Sequence, residues 1–333
     1  MQADPGLTVA LADELSAVAV ELDDPALTLT AHHVQWSSLL LAGDFERVRW
    51  HTEQASSIYD PDRHHWLTFA YGGHDPGVCM HGIGSLALWL LGAPGSASEE
   101  AQAAVELTEC LAHDYSLLEG LFGPLVVALL QRDADSLHSH SQAILQIVER
   151  GGVPDAAAAF ANGFEGAALV ASGELNAGLA LMSEASTSWR PLWGSFSCPL
   201  DAAYSEALAA VGDTTSALER LDSALAASEE SGSRWWDAEL LRLRGEILAA
   251  VDGESREGEA WISRAIETAR SQRSVMLELR AALSLGRQLL RHGEPDQVEE
   301  LVRGPLRKLG AEVDVADVRA ANALIAELDG ATS

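Results

Sequence analysis

A turn signature returns along this chain about every 40 residues, and it constrains the fold more than any other feature. It reads LLLAGDFERV around Gly43, LWLLGAPGSA around Gly92, LLQRDADSLH around Asp133 and LVASGELNAG around Gly173. It comes back as LAAVGDTTSA around Gly212, LAAVDGESREGEA around Gly253 and LLRHGEPDQV around Gly293. The intervals are 49, 41, 40, 39, 41 and 40 residues. A fixed period of this size is the mark of stacked helical hairpins, each burying its apolar face against its neighbours.

Each signature lies between two amphipathic stretches. After Gly212, Leu218, Leu221 and Leu225 fall three and four apart, on one helical face. After Gly253, Trp261, Ile262, Ala265, Ile266 and Ala269 repeat that stripe. The glycine supplies a left-handed stop for the first helix, and the Asp, Thr or Ser behind it caps the second. Asp133 takes the glycine's place once, as Asp tolerates a left-handed turn. Runs of β-branched residues bounded by turns, which would signal strands, are missing.

These patterns predict an all-α protein: an α-solenoid with about seven hairpins in one domain over residues 1–333. A leading helix falls within residues 1–24, the hairpins within 25–310, and a closing helix and tail within 311–333. First helices are expected at about 26–42, 76–91, 115–131, 155–172, 196–211, 234–250 and 275–291. Second helices are expected at about 45–58, 96–112, 134–150, 175–189, 214–230, 256–271 and 295–308.

Charge narrows the partners. Fifty acidic residues stand against 21 basic ones, a net charge of −29. Such a surface repels phosphate backbones and anionic lipid heads, so neither nucleic acid nor membrane is an expected partner. No apolar run approaches a membrane span, the N-terminus lacks the basic start of a secretory signal, and Cys79, Cys110 and Cys198 are odd in number and far apart. A cytoplasmic location is the expectation.

Three blocks carry a resemblance. The first runs AHHVQWSSLLLAGDFERV, YDPDRHHWLTFAYGGHDPGVC, LALWLLGAPGSA; the second is RWWDAELLRLRGEIL; the third is EAWISRAIETARSQRSVMLELRAALSLGRQLL. Together they resemble the tetratricopeptide-like region of bacterial signalling proteins that carry a class III nucleotide cyclase domain, a STAND-type AAA ATPase, or both. That resemblance covers about residues 26–328. It implies a module for regulation, sensing or protein contact. The chain has no P-loop and no room for a cyclase domain, so it looks like the sensor part alone. The implied partner is a protein, a peptide or a small-molecule effector, with no cofactor expected.

Two constellations are candidate sites. Ten of the eleven histidines lie in the first 140 residues, and the overlong first interval holds SIYDPDRHHWLTFAYGGHDPGVCMHGIG. His, Asp and Cys are common ligands of zinc and similar ions. His33 and Trp36 on one first helix can face Cys79 and His81 on the next, with His74 and Asp75 at the mouth; in an enzyme's site His33, His65 or His81 would support them. His33, His74 and Asp75 are the metal candidates should a divalent ion bind; His74 and Asp75 are the catalytic candidates if the solenoid has been recruited as an enzyme in specialised biosynthesis. Against this stands a structural role, in which His74 and Asp75 cap the helix opening at Pro76. Cys79 and His81, two apart, point about 200° from each other on a helix and do not suit one ion.

The second constellation is aromatic. Trp193, Tyr204, Trp235 and Trp236 are candidate anchors of a concave groove with polar rims, or fillers between helices. The alternating charges of AELLRLRGE are expected to form a solvated face. No GxSxG, HExxH or SxxK motif supports nucleophilic or zinc-protease chemistry.

Overall fold

The computed structural model describes residues 5–189, 194–253, 255–310 and 313–331. Among them every regular element is helical. The leading helix α1 is Pro5–Leu22; α2 (Pro25–Ala42) and α3 (Phe45–Ser56) make the first hairpin. The next elements are a one-turn α4 (Pro61–His64), a π-helical turn (Thr68–Gly72), α5 (Pro76–Leu90) and α6 (Pro94–Leu111). Then come α7 (Asp114–Gly120), α8 (Phe122–Gln131), α9 (Ala134–Glu149), α10 (Ala156–Ala171) and α11 (Leu175–Ala185). The C-terminal half holds α12 (Cys198–Ala210), α13 (Thr214–Ser231), α14 (Asp237–Val251), α15 (Glu257–Ser271), α16 (Val275–Arg291), α17 (Val298–Leu306) and α18 (Ala316–Ala331). No described helix is long and apolar enough to cross a membrane.

The recurring signature is a recurring backbone motif. Gly43, Gly92, Gly173, Gly212 and Gly293 all have φ between +74° and +97°. The amide that follows each one reaches back to the carbonyl five residues earlier, as in Asp44 to Leu39 and Asp213 to Leu208. This satisfies carbonyls that a helix end leaves unpaired. Asp44, Asp133 and Asp213 then accept an amide of the second helix and cap it. Two positions depart from expectation. In the third unit Arg132 is the left-handed residue (φ +58°), and Asp133 behind it is the cap. At the sixth signature Gly253 is not left-handed; α14 stops at Asp252, and the Gly253 carbonyl lies 3.0 Å from His292 Nε2.

The first helix foreseen at 115–131 is broken into α7 and α8 at Leu121. Sequential helices pack on one another, and one apolar cluster runs from Leu29 to Leu277, with smaller ones around Leu283 and Ile262. The chain also bends back on itself. Leu41, Leu90 and Leu130 sit in the last turns of α2, α5 and α8, where carbonyls lack intrahelical donors. They accept from Arg234 N–H (2.7 Å), Ser274 Oγ (3.1 Å) and the Arg280 guanidinium. Gln272 Nε2 donates to the Arg234 carbonyl at 2.7 Å, and Arg273 pairs with Glu46. Residues of the later hairpins thus cover the turns of the first three.

Candidate functional site

The overlong first interval builds the most unusual chemistry in the molecule. Asp75 is the N-cap of α5: its Oδ1 accepts the amides of Gly77 (2.8 Å) and Val78 (3.3 Å), and Pro76 occupies the position where an N–H would go unused. The same carboxylate accepts the Tyr59 hydroxyl at 2.7 Å and lies 2.8 Å from His65 Nδ1. The Asp75 amide donates to Ser116 Oγ at 2.8 Å, and His113 Nδ1 lies 2.9 Å from that hydroxyl. Asp75 is wholly buried. Burial and the Asp75 charge push the Tyr59 phenol above its ordinary range. Asp75 therefore ties three segments together: its carboxylate holds the start of α5 and the 59–65 segment, and its amide holds α7.

His74, one residue earlier, points the other way. Its Nε2 lies 3.1 Å from Nε2 of His33, and the rings meet edge to face. His33 and Trp36 are one turn apart on α2 and stack at 5.1 Å. The fully buried Trp36 indole donates to Cys79 Sγ at 3.4 Å. The ligand atoms of His33, His74 and Cys79 all lie within 4.8 Å of one another. Gly72, last residue of the π-helical turn, lies against both imidazoles, where a Cβ would stand 3.4–3.5 Å from their Cε1 atoms.

Burial sets the protonation of this cluster. It lowers His33 to about 3, with His74 adding to the effect, so His33 is neutral at pH 7. Burial also lowers His74, against the Gly72 carbonyl and Asp75. It pushes the Cys79 thiol up to about 12, with Trp36 and Ser37 pulling toward the thiolate and Glu119 against it. Glu119 on α7 is itself raised to about 7 by burial. Motif reading passed over Glu119 because nothing in DYSLLEG distinguishes a desolvated carboxyl from a solvated one. The only signal was its distance of one helical period from Tyr115 and Ser116.

Of the remaining sequence candidates, His81 pairs with Glu100 (2.6 Å) away from Cys79. His65 serves Asp75 rather than the His33–His74 pair. Around the mouth Trp66, Phe69 and Tyr71 stand more than half exposed.

A second region lies where α8, α10, α12 and α14 meet. A cavity of about 300 Å³ has apolar walls from α8, α10, α12 and α14, among them Leu130, Ala167, Ala203 and Leu243. Arg132, Glu206, Glu239 and Arg280 also line it. Arg132 pairs with Glu206 at 2.6 Å, and Arg280 with Asp317 at 2.8 Å. Of the aromatic candidates, Trp236 lines this cavity, and its buried indole N–H has no hydrogen-bond partner. Trp235 is wholly buried and donates to the Ser195 carbonyl at 3.0 Å; Tyr204 packs under the Arg220 guanidinium. Trp193 lies outside the described residues. The solvated face expected of AELLRLRGE is corrected here. Glu239 and Arg242 are 6–7% exposed, and Arg242 bridges Glu239 and Glu246 at 2.7 Å each. Helical spacing puts these charges within reach of each other but cannot say that α16 covers them.

No family model matches the chain. An uncharacterized protein of Rhizobium meliloti (strain 1021) is 26% identical over 281 residues. The match takes in 82% of this chain and 26% of that protein, so the chain spans about a quarter of its relative's length.

Proposed function

We propose that the chain is a helical-repeat binding and regulatory module. On this reading its hairpins form a tetratricopeptide-like right-handed superhelix, and the region resembles the sensor part of bacterial cyclase and STAND-type ATPase proteins. The observation that carries the proposal is the cavity between α8, α10, α12 and α14. It joins apolar walls to two arginines and two glutamates. Binding sites commonly combine apolar walls with a few polar groups that fix orientation. The occupant that fits is a small effector or a single peptide side chain with an apolar body and a polar end.

Thermal-shift screening of small amphipathic metabolites and peptides tests this, run beside Ala203→Trp, which fills the cavity. The expected result is a ligand that raises the melting temperature of the parent and leaves the variant unmoved. A ligand that shifts both equally would place binding elsewhere, and a full screen without a hit would overturn the reading.

A second reading, a solenoid recruited as an enzyme, is favoured by the neutral imidazoles of His33 and His74 beside Cys79 and Glu119. It requires that His74→Ala abolish an activity while far-ultraviolet circular dichroism keeps the parent's helical signal.

A further inference from the structure

We propose that His33, His74 and Cys79 form a site for a single borderline d-block cation of the Zn²⁺ class. The site is separate from that cavity, so either idea can fail without the other. It draws its ligands from two helices and the loop between them: His33 from α2, His74 from the loop that precedes α5, and Cys79 from the first turns of α5.

Three observations support the assignment. The first is distance. Zinc holds imidazole nitrogen at about 2.0–2.1 Å and thiolate at about 2.3 Å, so tetrahedral angles put N···N at roughly 3.4 Å and N···S at roughly 3.6 Å. The two Nε2 atoms are already 3.1 Å apart, and one ligand atom from each of His33, His74 and Cys79 lies within 4.8 Å of the others. Side-chain movements on the order of an ångström close the set.

The second is donor chemistry. Two neutral imidazoles and a thiol suit zinc-like ions and not Mg²⁺ or Ca²⁺, which need oxygen ligands. In the nitrogen–nitrogen contact one ring carries its proton on Nε2; on binding, that proton moves to Nδ1 of the same ring, which frees both Nε2 lone pairs for the cation. On binding, the Cys79 S–H bond breaks, the sulfur pair binds the metal, and the proton leaves to solvent.

The third is the surrounding shell. The Trp36 N–H donates to Sγ, as outer hydrogen bonds to ligating sulfur do, and stacking on Trp36 fixes the His33 ring. Gly72 leaves room beside both imidazoles. Asp75, the carboxylate that sequence spacing offered as a ligand, is consumed by its cap and by Tyr59 and His65, and Cys79 takes its place in the set. Three protein ligands leave one tetrahedral position for an exogenous group.

The experiment is a titration of the chelator-treated, reduced full chain with Zn²⁺, and with Co²⁺ as a spectroscopic probe. The expected result is one equivalent bound, a raised melting temperature, and a thiolate-to-cobalt charge-transfer band. Cys79→Ser should remove that band and weaken Zn²⁺ binding by more than about tenfold. His74→Ala should weaken it similarly, with helicity checked by circular dichroism. His81→Ala and Cys110→Ser should bind as the parent does, and Mg²⁺ should have no effect. If Cys79→Ser binds Zn²⁺ like the parent, or the cobalt complex shows no thiolate band, the ion sits on the acidic surface and the proposal is wrong.

Discussion

Gly43 and Gly212 have the same turn conformation and different surroundings. Their φ angles are +80° and +86°. A Cβ at Gly212 meets nothing within 4 Å, whereas one at Gly43 lands 2.6 Å from Gln272 Nε2, which is bonded to the Arg234 carbonyl. Gly212→Ala should therefore cost only left-handed strain, about 1 kcal/mol. Gly43→Ala should cost roughly 1 kcal/mol more, because it also displaces that hydrogen bond. Equal losses in urea denaturation would show that Gln272 moves aside freely. Asp75 makes a harsher case. Asp75→Ala removes a helix cap and strands the buried Tyr59 hydroxyl, so it should destabilise by roughly 2–5 kcal/mol. A loss under about 1 kcal/mol in the same assay would leave Asp75 available for another role. The cap was legible from Asp-Pro in the sequence. That this carboxylate is also bonded by Tyr59 and His65 was not, since they reach it across 16 and 10 residues of chain.

Helices α14 and α16 show how an element's charge pattern changes meaning with its neighbours. Burial works against an ionised Glu239, but Arg242, Arg280 and Arg132 outweigh it and hold its acidity at about 2, below the ordinary 4.5. A folded-state value below the unfolded one means stability that is fully present above about 4.5 and is lost as pH falls toward about 2. Glu239→Gln leaves the buried Arg242 with Glu246 as its remaining carboxylate and weakens a charge-assisted pair, a change that costs about 1.5–3 kcal/mol. The deficit of the variant should be full at pH 7 and shrink between about pH 4.5 and 2, which denaturant melts across that range would read. A deficit independent of pH would mean that the charge is not what the site uses. Glycines play the matching part for backbone approach. At Gly166 and Gly178, on α10 and α11, each Cβ would meet the other residue's carbonyl at 2.9 and 2.5 Å. Amphipathic periodicity located both helices, but not how closely they cross.

At the scale of the molecule, the later hairpins complete the earlier ones. Stacked repeats with only neighbour contacts tolerate loss of an end, because each interface is local. Here Ser274 and Arg280 satisfy the last-turn carbonyls of α5 and α8, and Gln272 lies against the Gly43 turn. Deleting residues 255–333 should therefore loosen α2 and α5 as well as exposing α14. The measurement is amide hydrogen exchange across 29–40 and 78–90, where protection should fall well below that of the full chain. Unchanged protection there would mean that the first hairpins stand alone.

The sequence by itself determined the helices and their turns. Left-handed glycines, capping aspartates and three-to-four spacing are local, and local chemistry decides where a helix stops and which face it buries. Its departures are local too: the turn in the third unit is shifted from Asp133 to Arg132, Gly253 follows its helix without left-handed geometry, and the helix foreseen at 115–131 breaks at Leu121. Only the tertiary structure decided which side chains meet. It seated Arg234, Ser274 and Arg280 on helix ends 150 to 193 residues away, buried Glu239 with Arg242, and set Cys79 rather than Asp75 beside His33 and His74. Those outcomes depend on burial and on contacts between distant segments, and no pattern within one helix specifies either.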